Sequence, residues 1–426
     1  MSTIAHTRAR EVLDSRGNPT LEVEVVLEDG AFGRAIVPSG ASTGKAEALE
    51  LRDEDQRRYL GRGMLKALAN VAQVIAPALR GVNAMDQFLV DSRLIALDGS
   101  DNKGRLGANA LLGVSMAIAH AAAASARLPL YRYLGGVTAC ELPVPMVNIV
   151  SGGIHGGGNI DFQDYQAIPL RAGRYSEALA DVAAIYRAMK EALKSHGAYR
   201  PGVADEGGYA PALETNEQGF ELMVEAIERA GLKPGRDAAI AVDVAASHFY
   251  SDGRYRMARE GTETDAEGMV RRLAAWCERY PIISIEDGLA EEDWNGWKLL
   301  TERLGARVQL IGDDLFATNP ARLKKGIEAG VASAVLVKMN QIGTLTETLE
   351  VIELAKRHGY RTVVSARSGE TEDDTMADLA VATGAGQIKV GAVTRSERLA
   401  KYNRLLRIEQ ELGDHGAYHM LRHNYK

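Results

Sequence analysis

Most of the chain after residue 137 alternates short apolar segments with amphipathic helical segments, and this alternation limits the folds open to it. The candidate strands are Ala239 to Asp243, Ile282 to Glu286, Val308 to Gly312, Ala334 to Lys338, Arg361 to Ser365 and Gln387 to Val390. Strands that are apolar along nearly their whole length are typical of a parallel sheet buried on both faces by helices. Together with earlier strands, they predict a closed α/β barrel.

The helical segments between these strands carry readable ends. Thr215 and Gln218 resemble a capping box, and an Asn319-Pro320 pair begins a helix that should end at Gly330. A doubly wound open sheet is the alternative to the barrel. The sequence contains no Gly-x-Gly-x-x-Gly between a strand and a helix with an acid downstream, so it gives a dinucleotide site little support.

The segment before residue 137 follows a different pattern. Thr20 to Val26 alternates polar and apolar residues, turns at Asp29-Gly30 and resumes at Gly33 to Val37, which predicts an antiparallel hairpin. The Gly- and Ser-rich residues 38–44 predict a mobile loop, and helical patterns follow at 67–79 and 109–126. We therefore predict an N-terminal α+β domain over residues 1–136 and an α/β barrel with the active site over residues 137–426.

Composition restricts the possible partners. The 426 residues carry a formal net charge of −7, which argues against a general nucleic-acid binder or a binder of anionic membranes. The most apolar tract, residues 117–126, is short and is interrupted by His120, so it predicts a buried helix. Only Cys140 and Cys277 are present, with no CxxC spacing, which favours a reducing cytoplasm.

Polar and charged residues recur where the apolar strands stop. They are Asp243, Glu286, Asp313, Lys338, Arg367 and Lys389. A barrel brings the carboxyl ends of its strands to one face, where catalytic groups of such enzymes gather. Any one of these acids alone could be a helix cap or a solvated loop end, but acids on successive strands followed by two lysines and an arginine predict a shared site.

The residue types at this site indicate its chemistry. Carboxylate ligands without His or Cys favour a hard cation such as Mg²⁺. Buried lysines facing that cation should have lowered pKa values, as a general base near neutral pH requires. Glu206 lies in a turn before two glycines, and His155 lies in the glycine-rich residues 151–158, either a phosphate-binding loop or a plain one.

The chain resembles the enolase family from end to end. The segments that carry the resemblance are VLDSRGNPTLEVEV, VPSGASTG, LGANALLGVS, PLYRYLGG, DEGGYAP, DVAAS, SIED, GDDL, VKMNQIGTLTET, RSGETED and GQIK. The resemblance implies an enolase-like modified (β/α)8 barrel with an N-terminal α+β capping domain. It also implies Mg²⁺, a cytoplasmic homodimer or higher homo-oligomer, and a small phosphorylated or phosphonylated carboxylic acid as substrate.

The resemblance also implies roles for individual residues. Lys338 resembles the base that removes the proton next to the carboxylate, and Glu206 the acid that protonates the departing hydroxyl. Ser42, in the loop, resembles the residue that closes over a second Mg²⁺. The implied ligands of the first Mg²⁺ are Asp243, Glu286 and Asp313, and the implied substrate contacts are His155, Gln163, Asp164, Arg367, Ser368 and Lys389.

Departures from the family pattern concentrate at the same site. Ala366 replaces a histidine of VSHRSGET, Asp164 is one methylene shorter than the family's glutamate, and Ala46 replaces the loop histidine. These changes leave two enzymatic hypotheses open. One is a glycolytic enolase that has drifted, and the other is a divergent paralogue, for example of the carboxyphosphonoenolpyruvate synthase type in phosphonate biosynthesis. A non-catalytic binding protein is the third, disfavoured by the presence of Lys338 and the metal acids.

Overall fold

The computed structural model describes residues 2–40 and 44–419. Its N-terminal part is a three-stranded antiparallel sheet in the order β1-β2-β3, with helices packed on one face. The elements are β1 (Ile4–Leu13), β2 (Pro19–Leu27), β3 (Phe32–Ile36), α1 (Leu65–Asn70), α2 (Ala76–Leu79), α3 (Gln87–Asp98), α4 (Ala108–Ser125) and α5 (Leu130–Gly135), with a π-helical turn at Val71–Ile75 between α1 and α2. The predicted hairpin is β2–β3, in which Glu22 pairs with Ile36.

Helix α4 is the core of this part of the molecule. It is long and apolar enough by composition to cross a membrane, but 83% of it is buried inside the structure. It packs against β2 and β3, and Gly33 permits the contact because a Cβ there would lie 2.1 Å from the Ala117 carbonyl oxygen. The prediction of a buried helix is confirmed.

The remaining strands and helices build the second part. The strands are β4 (Glu141–Leu142), β5 (Val144–Ser151), β6 (Asp164–Pro169), β7 (Ala238–Asp243), β8 (Tyr250–Ser251), β9 (Arg254–Met257), β10 (Thr262–Thr264), β11 (Ile282–Glu286), β12 (Gln309–Gly312), β13 (Ala334–Val337), β14 (Arg361–Ser365), β15 (Gly386–Gly391) and β16 (Ala417–Tyr418). The helices are α6 (Tyr175–Ser195), α7 (Asn216–Arg229), α8 (Ala266–Arg279), α9 (Trp294–Leu304), α10 (Pro320–Ala329), α11 (Met339–Ile342), α12 (Leu345–Arg357), α13 (Thr375–Thr383) and α14 (Ser396–Leu412).

Strands β11-β12-β13-β14-β15-β5-β6-β7 form a closed barrel, which confirms the predicted fold. The strands are apolar on both faces because one face fills the barrel and the other lies under the helices. The residues that fill the barrel are Val144, Met146, Ile168, Ala241, Ile311, Ala334, Leu336 and Val363. The predicted helix ends are also present: Thr215 and Gln218 form a capping box, and α10 runs from an Asn319 cap to Gly330 in the left-handed conformation.

The six strands predicted from the sequence pair in parallel, as expected. Strand β6, which the sequence analysis did not place, runs antiparallel to both of its neighbours, β5 and β7. The connection between β5 and β6, residues 152–163, contains no helix, whereas parallel neighbours need a crossover that is usually helical. Consequently the first residue of β6, Asp164, pairs with Ser151 and with Asp243 at the carboxyl ends of β5 and β7.

The two parts meet at the mouth of the barrel. The Ile36 amide donates to the Asp373 carboxylate at 2.9 Å, and Ser39 and Gly369 exchange backbone hydrogen bonds of 2.8 and 2.9 Å. The predicted division near residue 137 falls in a 3₁₀ turn, Gly136–Thr138. The assignment of residues 1–136 and 137–426 to two domains stays a prediction.

Candidate active site

The carboxyl ends of the barrel strands enclose a cavity of about 30 Å³, the volume of roughly one water molecule. Most of the predicted site residues line it, although they are far apart in the sequence. The lining residues are His155, Gln163, Glu206, Asp243, Ala245, His248, Asp287, Asp313, Asp314, Lys338, Ser365, Ala366, Arg367, Ser368 and Lys389. Asp164 and Glu286 lie behind this lining, each bonded to a residue in it. Ser42 lies outside the described residues.

Lys389 occupies the point where two predicted metal ligands converge. Its Nζ lies 2.9 Å from Asp243 Oδ2 and 2.7 and 2.8 Å from the two oxygens of Glu286. Burial disfavours the ammonium form, but Asp243 and Glu286 outweigh burial and raise the pKa of Lys389 well above its ordinary value. A positive charge is therefore stable at this point.

Lys338 forms the second lysine–carboxylate pair of the cavity. Its Nζ lies 2.5 Å from Asp313 Oδ2. Burial acts to lower the pKa of Lys338, yet the Asp313 carboxylate more than compensates, and the pKa is raised. Each lysine thus pairs directly with carboxylates of the site, and the expectation of lowered pKa values, which concerned lysines that face a bound cation, stays a prediction.

A carboxylate cluster beside these pairs contains two acids that the sequence analysis did not assign. Ligand oxygens of Asp287, Asp313 and Asp314 lie within 4.8 Å of one another. Asp287 accepts the backbone N–H groups of Asp313 and Asp314 at 3.0 and 2.8 Å, so it shapes the turn after β12. The sequence contains one indication of these two acids, which is that each directly follows a predicted metal ligand: Asp287 follows Glu286, and Asp314 follows Asp313.

These residues fit a bound divalent cation. Carboxylates outnumber lysines here, and burial together with Asp243 raises the pKa of Glu286 well above its ordinary value. Burial and Asp313 likewise raise the pKa of Asp314 to about 7. Such raised values show uncompensated negative charge, which a hard cation with oxygen ligands would neutralise. The donors that could hold it are the predicted Asp243, Glu286 and Asp313.

The raised carboxyl pKa values predict how metal binding depends on pH. Asp314 holds a proton at pH values below its raised pKa of about 7, and a cation bound nearby would favour loss of that proton. Binding of Mg²⁺ should therefore release protons, and its affinity should increase as the pH rises through about 7. Titration calorimetry at pH 6 and pH 8, in buffers with different ionisation enthalpies, measures both quantities.

Replacing Glu286 with glutamine should weaken Mg²⁺ binding by more than the roughly 10-fold that loss of an outer-shell partner costs. The matched control is Glu302→Gln, which removes one charge from an exposed position of α9. Equal affinities in Glu286→Gln and Glu302→Gln would remove Glu286 from the metal site.

A histidine between two carboxylates forms the opposite wall. His155 Nδ1 lies 3.0 Å from Asp164 Oδ2, and His155 Nε2 lies 3.8 Å from Glu206 Oε1. Burial acts to lower the pKa of His155, but Glu206 and Asp164 prevail and raise it to about 9. The protonated imidazole in turn holds the pKa of Glu206 below its ordinary value despite burial. The proton of this wall therefore lies on His155.

Asp164 does not reach the cavity directly. It is fully buried and accepts a hydrogen bond from Ser151 Oγ at 2.6 Å. Ala366 does line the cavity, and its methyl group provides no polar contact. Two of the three departures that the sequence showed thus reduce the polar groups available to a ligand.

The remaining wall contains Arg367 and Ser368. Arg367 is 4% exposed, and its Nη1 lies 3.0 Å from Glu47 Oε2 and 2.9 Å from Asn340 Oδ1. Gln163 donates to Asp243 Oδ2 at 3.2 Å, and its own Oε1 is buried without a donor in the part of the chain that the structure describes. That oxygen remains as an acceptor for a ligand group.

Sequence reasoning missed two further groups at this site. Glu47 pairs with Arg367 although it is distant in the sequence, and its only signal was its place after the glycine-rich loop. His248 lines the cavity, and burial lowers its pKa. Its position five residues after Asp243 did not indicate a site residue, because only the folded turn brings His248 back to the cavity.

Comparison with protein families covers nearly the whole chain. The family model described as the enolase N-terminal domain matches residues 4–134. The family model described as the enolase C-terminal TIM barrel domain matches residues 139–426.

Proposed function

Because the chain belongs to the enolase family of lyase-type enzymes, we propose that it removes the proton next to the carboxylate of a small phosphorylated acid, in a Mg²⁺-dependent reaction. The substrate class is 2-phosphoglycerate, with phosphoenolpyruvate as the product type. One observation carries the proposal: Lys338, Glu206 and Arg367 line the same cavity at the barrel mouth, beside the predicted metal acids.

Lys338 is the proposed base. A lysine accepts a proton only in its neutral form, and the contact with Asp313 keeps the pKa of Lys338 raised. Recruitment of Asp313 as a metal ligand would end that pairing and lower the pKa of Lys338 toward the range that a base needs. Bound at Asp243, Glu286 and Asp313, with Ser42 as the proposed contact of a second ion, Mg²⁺ would stabilise negative charge on the substrate carboxylate.

On the leaving-group side, we assign the proton to the pair of His155 and Glu206. Glu206 is held in place by Asn148 Nδ2, which donates to its Oε2 at 2.8 Å. Since the pKa of Glu206 is lowered and that of His155 is about 9, His155 is the protonated partner near neutral pH. Glu206 remains the proposed acid, and it must take up a proton from solvent before it can donate one, since the charge of His155, whose Nε2 lies 3.8 Å from Glu206 Oε1, favours the carboxylate form. Arg367, Ser368, Lys389 and Gln163 are the proposed contacts of the phosphate and carboxylate.

A divergent paralogue is the second candidate, and the withdrawn Asp164 together with Ala366 favours it. A cavity with fewer polar groups near the leaving hydroxyl suits a different leaving group or electrophile. One such activity is that of an enzyme of the carboxyphosphonoenolpyruvate synthase type, in phosphonate biosynthesis. The other enzymatic hypothesis is a glycolytic enolase that has drifted. In either case we propose a cytoplasmic enzyme that forms a homodimer or a higher homo-oligomer.

Exchange and dehydration should separate in the unmodified protein. With Mg²⁺ and 2-phosphoglycerate in D₂O, exchange of the C2 proton should exceed formation of phosphoenolpyruvate by about 10²-fold, the lower range of general-acid assistance. Lys338, Asp243 and Asp313 line the cavity, whereas Asp164 does not. Proton NMR follows the exchange, and ultraviolet absorbance follows phosphoenolpyruvate.

The same assay discriminates the hypotheses. Efficient turnover to phosphoenolpyruvate, as fast as the exchange, would leave a simple enolase and refute the paralogue. A protein that catalyses neither exchange nor dehydration, but binds Mg²⁺, would contradict the proposed function and favour a non-catalytic binding protein.

A further inference from the structure

Helix α14 presents a buried arginine to the back of the active site. Arg398 is 0% exposed, and its guanidinium donates to backbone carbonyl oxygens of several separate segments. Its Nη1 contacts the carbonyls of Arg367, at 2.5 Å, and Val390, at 3.1 Å. Its Nη2 contacts the carbonyls of Ser368, at 2.6 Å, and Asp205, at 3.5 Å.

Each of these carbonyls belongs to a segment that carries a cavity residue. Arg367 and Ser368 line the cavity themselves, Val390 follows Lys389, and Asp205 precedes Glu206. Backbone hydrogen bonds join the same segments to one another: the Ala392 amide donates to the Glu206 carbonyl at 2.8 Å, and the Ala366 amide donates to the Lys389 carbonyl at 2.9 Å. One guanidinium therefore connects the segment after β14, the end of β15 and the turn at 205–206.

Only arginine can make this set of contacts. A guanidinium has five N–H donors in a fixed planar fork, whereas a lysine ammonium is a compact charge with three donors at one nitrogen. The carbonyls that Arg398 bonds lie on opposite branches of the fork, so one ammonium cannot reach them all. The ion pair that Arg398 forms within residues 2–40 and 44–419 is with Glu397, whose Oε1 lies 3.7 Å from Nε. The main role of its buried charge is thus to hold carbonyl groups.

We propose that Arg398 is a positioning residue that aligns the Arg367–Ser368 segment, Lys389 and Glu206 as one unit. The effect of Arg398 on catalysis rests on the proposed function, whereas its effect on the binding of an anion does not. Lys338 lies after β13, outside the segments that Arg398 bonds. Arg398 therefore acts on the groups that hold the substrate and on the acid, but not on the base.

The test compares Arg398→Lys with Arg404→Lys. Arg404 lies on the same helix and bonds Asp378 through Nε and Nη2, each at 2.7 Å, away from the cavity. Both substitutions keep the charge and remove a guanidinium fork that is bonded through two nitrogens, so both should lower the melting temperature. Only Arg398→Lys should weaken binding of inorganic phosphate, by about 10-fold, and lower the kcat of dehydration by about 10²-fold, the cost of a misplacement of about 1 Å.

Proton exchange at saturating 2-phosphoglycerate is the discriminating measurement. In Arg398→Lys it should fall less than dehydration, because Lys338 keeps its surroundings. Equal losses of exchange and dehydration, unchanged phosphate affinity, equal effects of the two substitutions, or a parent protein that binds no phosphate would each overturn the proposal. If the parent binds phosphate but does not act on 2-phosphoglycerate, the proposed function fails, and the phosphate affinities of the two variants still decide the role of Arg398.

Discussion

Replacing Lys338 with alanine should lower exchange of the C2 proton of 2-phosphoglycerate by about 10³-fold or more, within the range that a positioned base contributes. The side chain lies at the cavity, 14% exposed, and its Nζ is paired with Asp313. Lys389, the other lysine that lines the cavity, is held by Asp243 and Glu286, so it is not placed to replace the Lys338 amine. Proton NMR in D₂O with saturating Mg²⁺ measures the loss.

The substitution Lys338→Arg separates charge from basicity. Arginine keeps a cation beside Asp313 but cannot deprotonate near neutral pH. It should therefore fold as the parent does and fail in exchange as Lys338→Ala does. Lys324→Ala, at an exposed position of α10, is the control and should exchange normally. Exchange in Lys338→Arg at the parental rate would assign the base to another residue.

The double substitution Asp164→Glu, Ala366→His should raise formation of phosphoenolpyruvate by about 10²-fold, while proton exchange changes little. Asp164 is bonded to Ser151 and His155 and does not line the cavity. One added methylene would bring its carboxylate toward the leaving hydroxyl, and an imidazole at 366 would add a polar group to a wall that now has a methyl.

The single variants are the controls for this experiment. The two new side chains would reach the same cavity, so their effects should not be additive, and the double variant should exceed the sum of the singles. Turnover by the unmodified protein at the rate of an efficient enolase would contradict the premise. Loss of exchange in the double variant would instead show that the cavity cannot accommodate the larger side chains.

Much of the fold could be predicted from local pattern. Apolar runs such as Ile282 to Glu286 are strands with the predicted bounds, because a strand buried on both faces is apolar along nearly its whole length and is easily recognised in the sequence. Helix ends were equally readable where a capping side chain acts on its own backbone, as at Thr215. The direction of β6 could not be predicted, since it depends on how a loop without a helix returns the chain.

The candidate site, like the fold, could be predicted only in part. The acids and lysines at the strand ends were predictable because a barrel places those ends together whatever the side chains are. Their partners were not, as shown by Lys389 between Asp243 and Glu286 and by Glu47 beside Arg367. Pairing of buried charges depends on the desolvation and the distances of groups that are far apart in the sequence.

The sequence by itself determined the barrel, the family and the chemical types available at its mouth, because each of these depends on residue identity and short-range periodicity. The tertiary structure alone decided which carboxylates pair with lysines, that Asp164 is withdrawn behind His155, and that one arginine of the last long helix connects the segments of the site. These features arise from distances across the closed barrel, where a shift of about 1 Å changes which groups bond. Such distances exist only once the chain has folded.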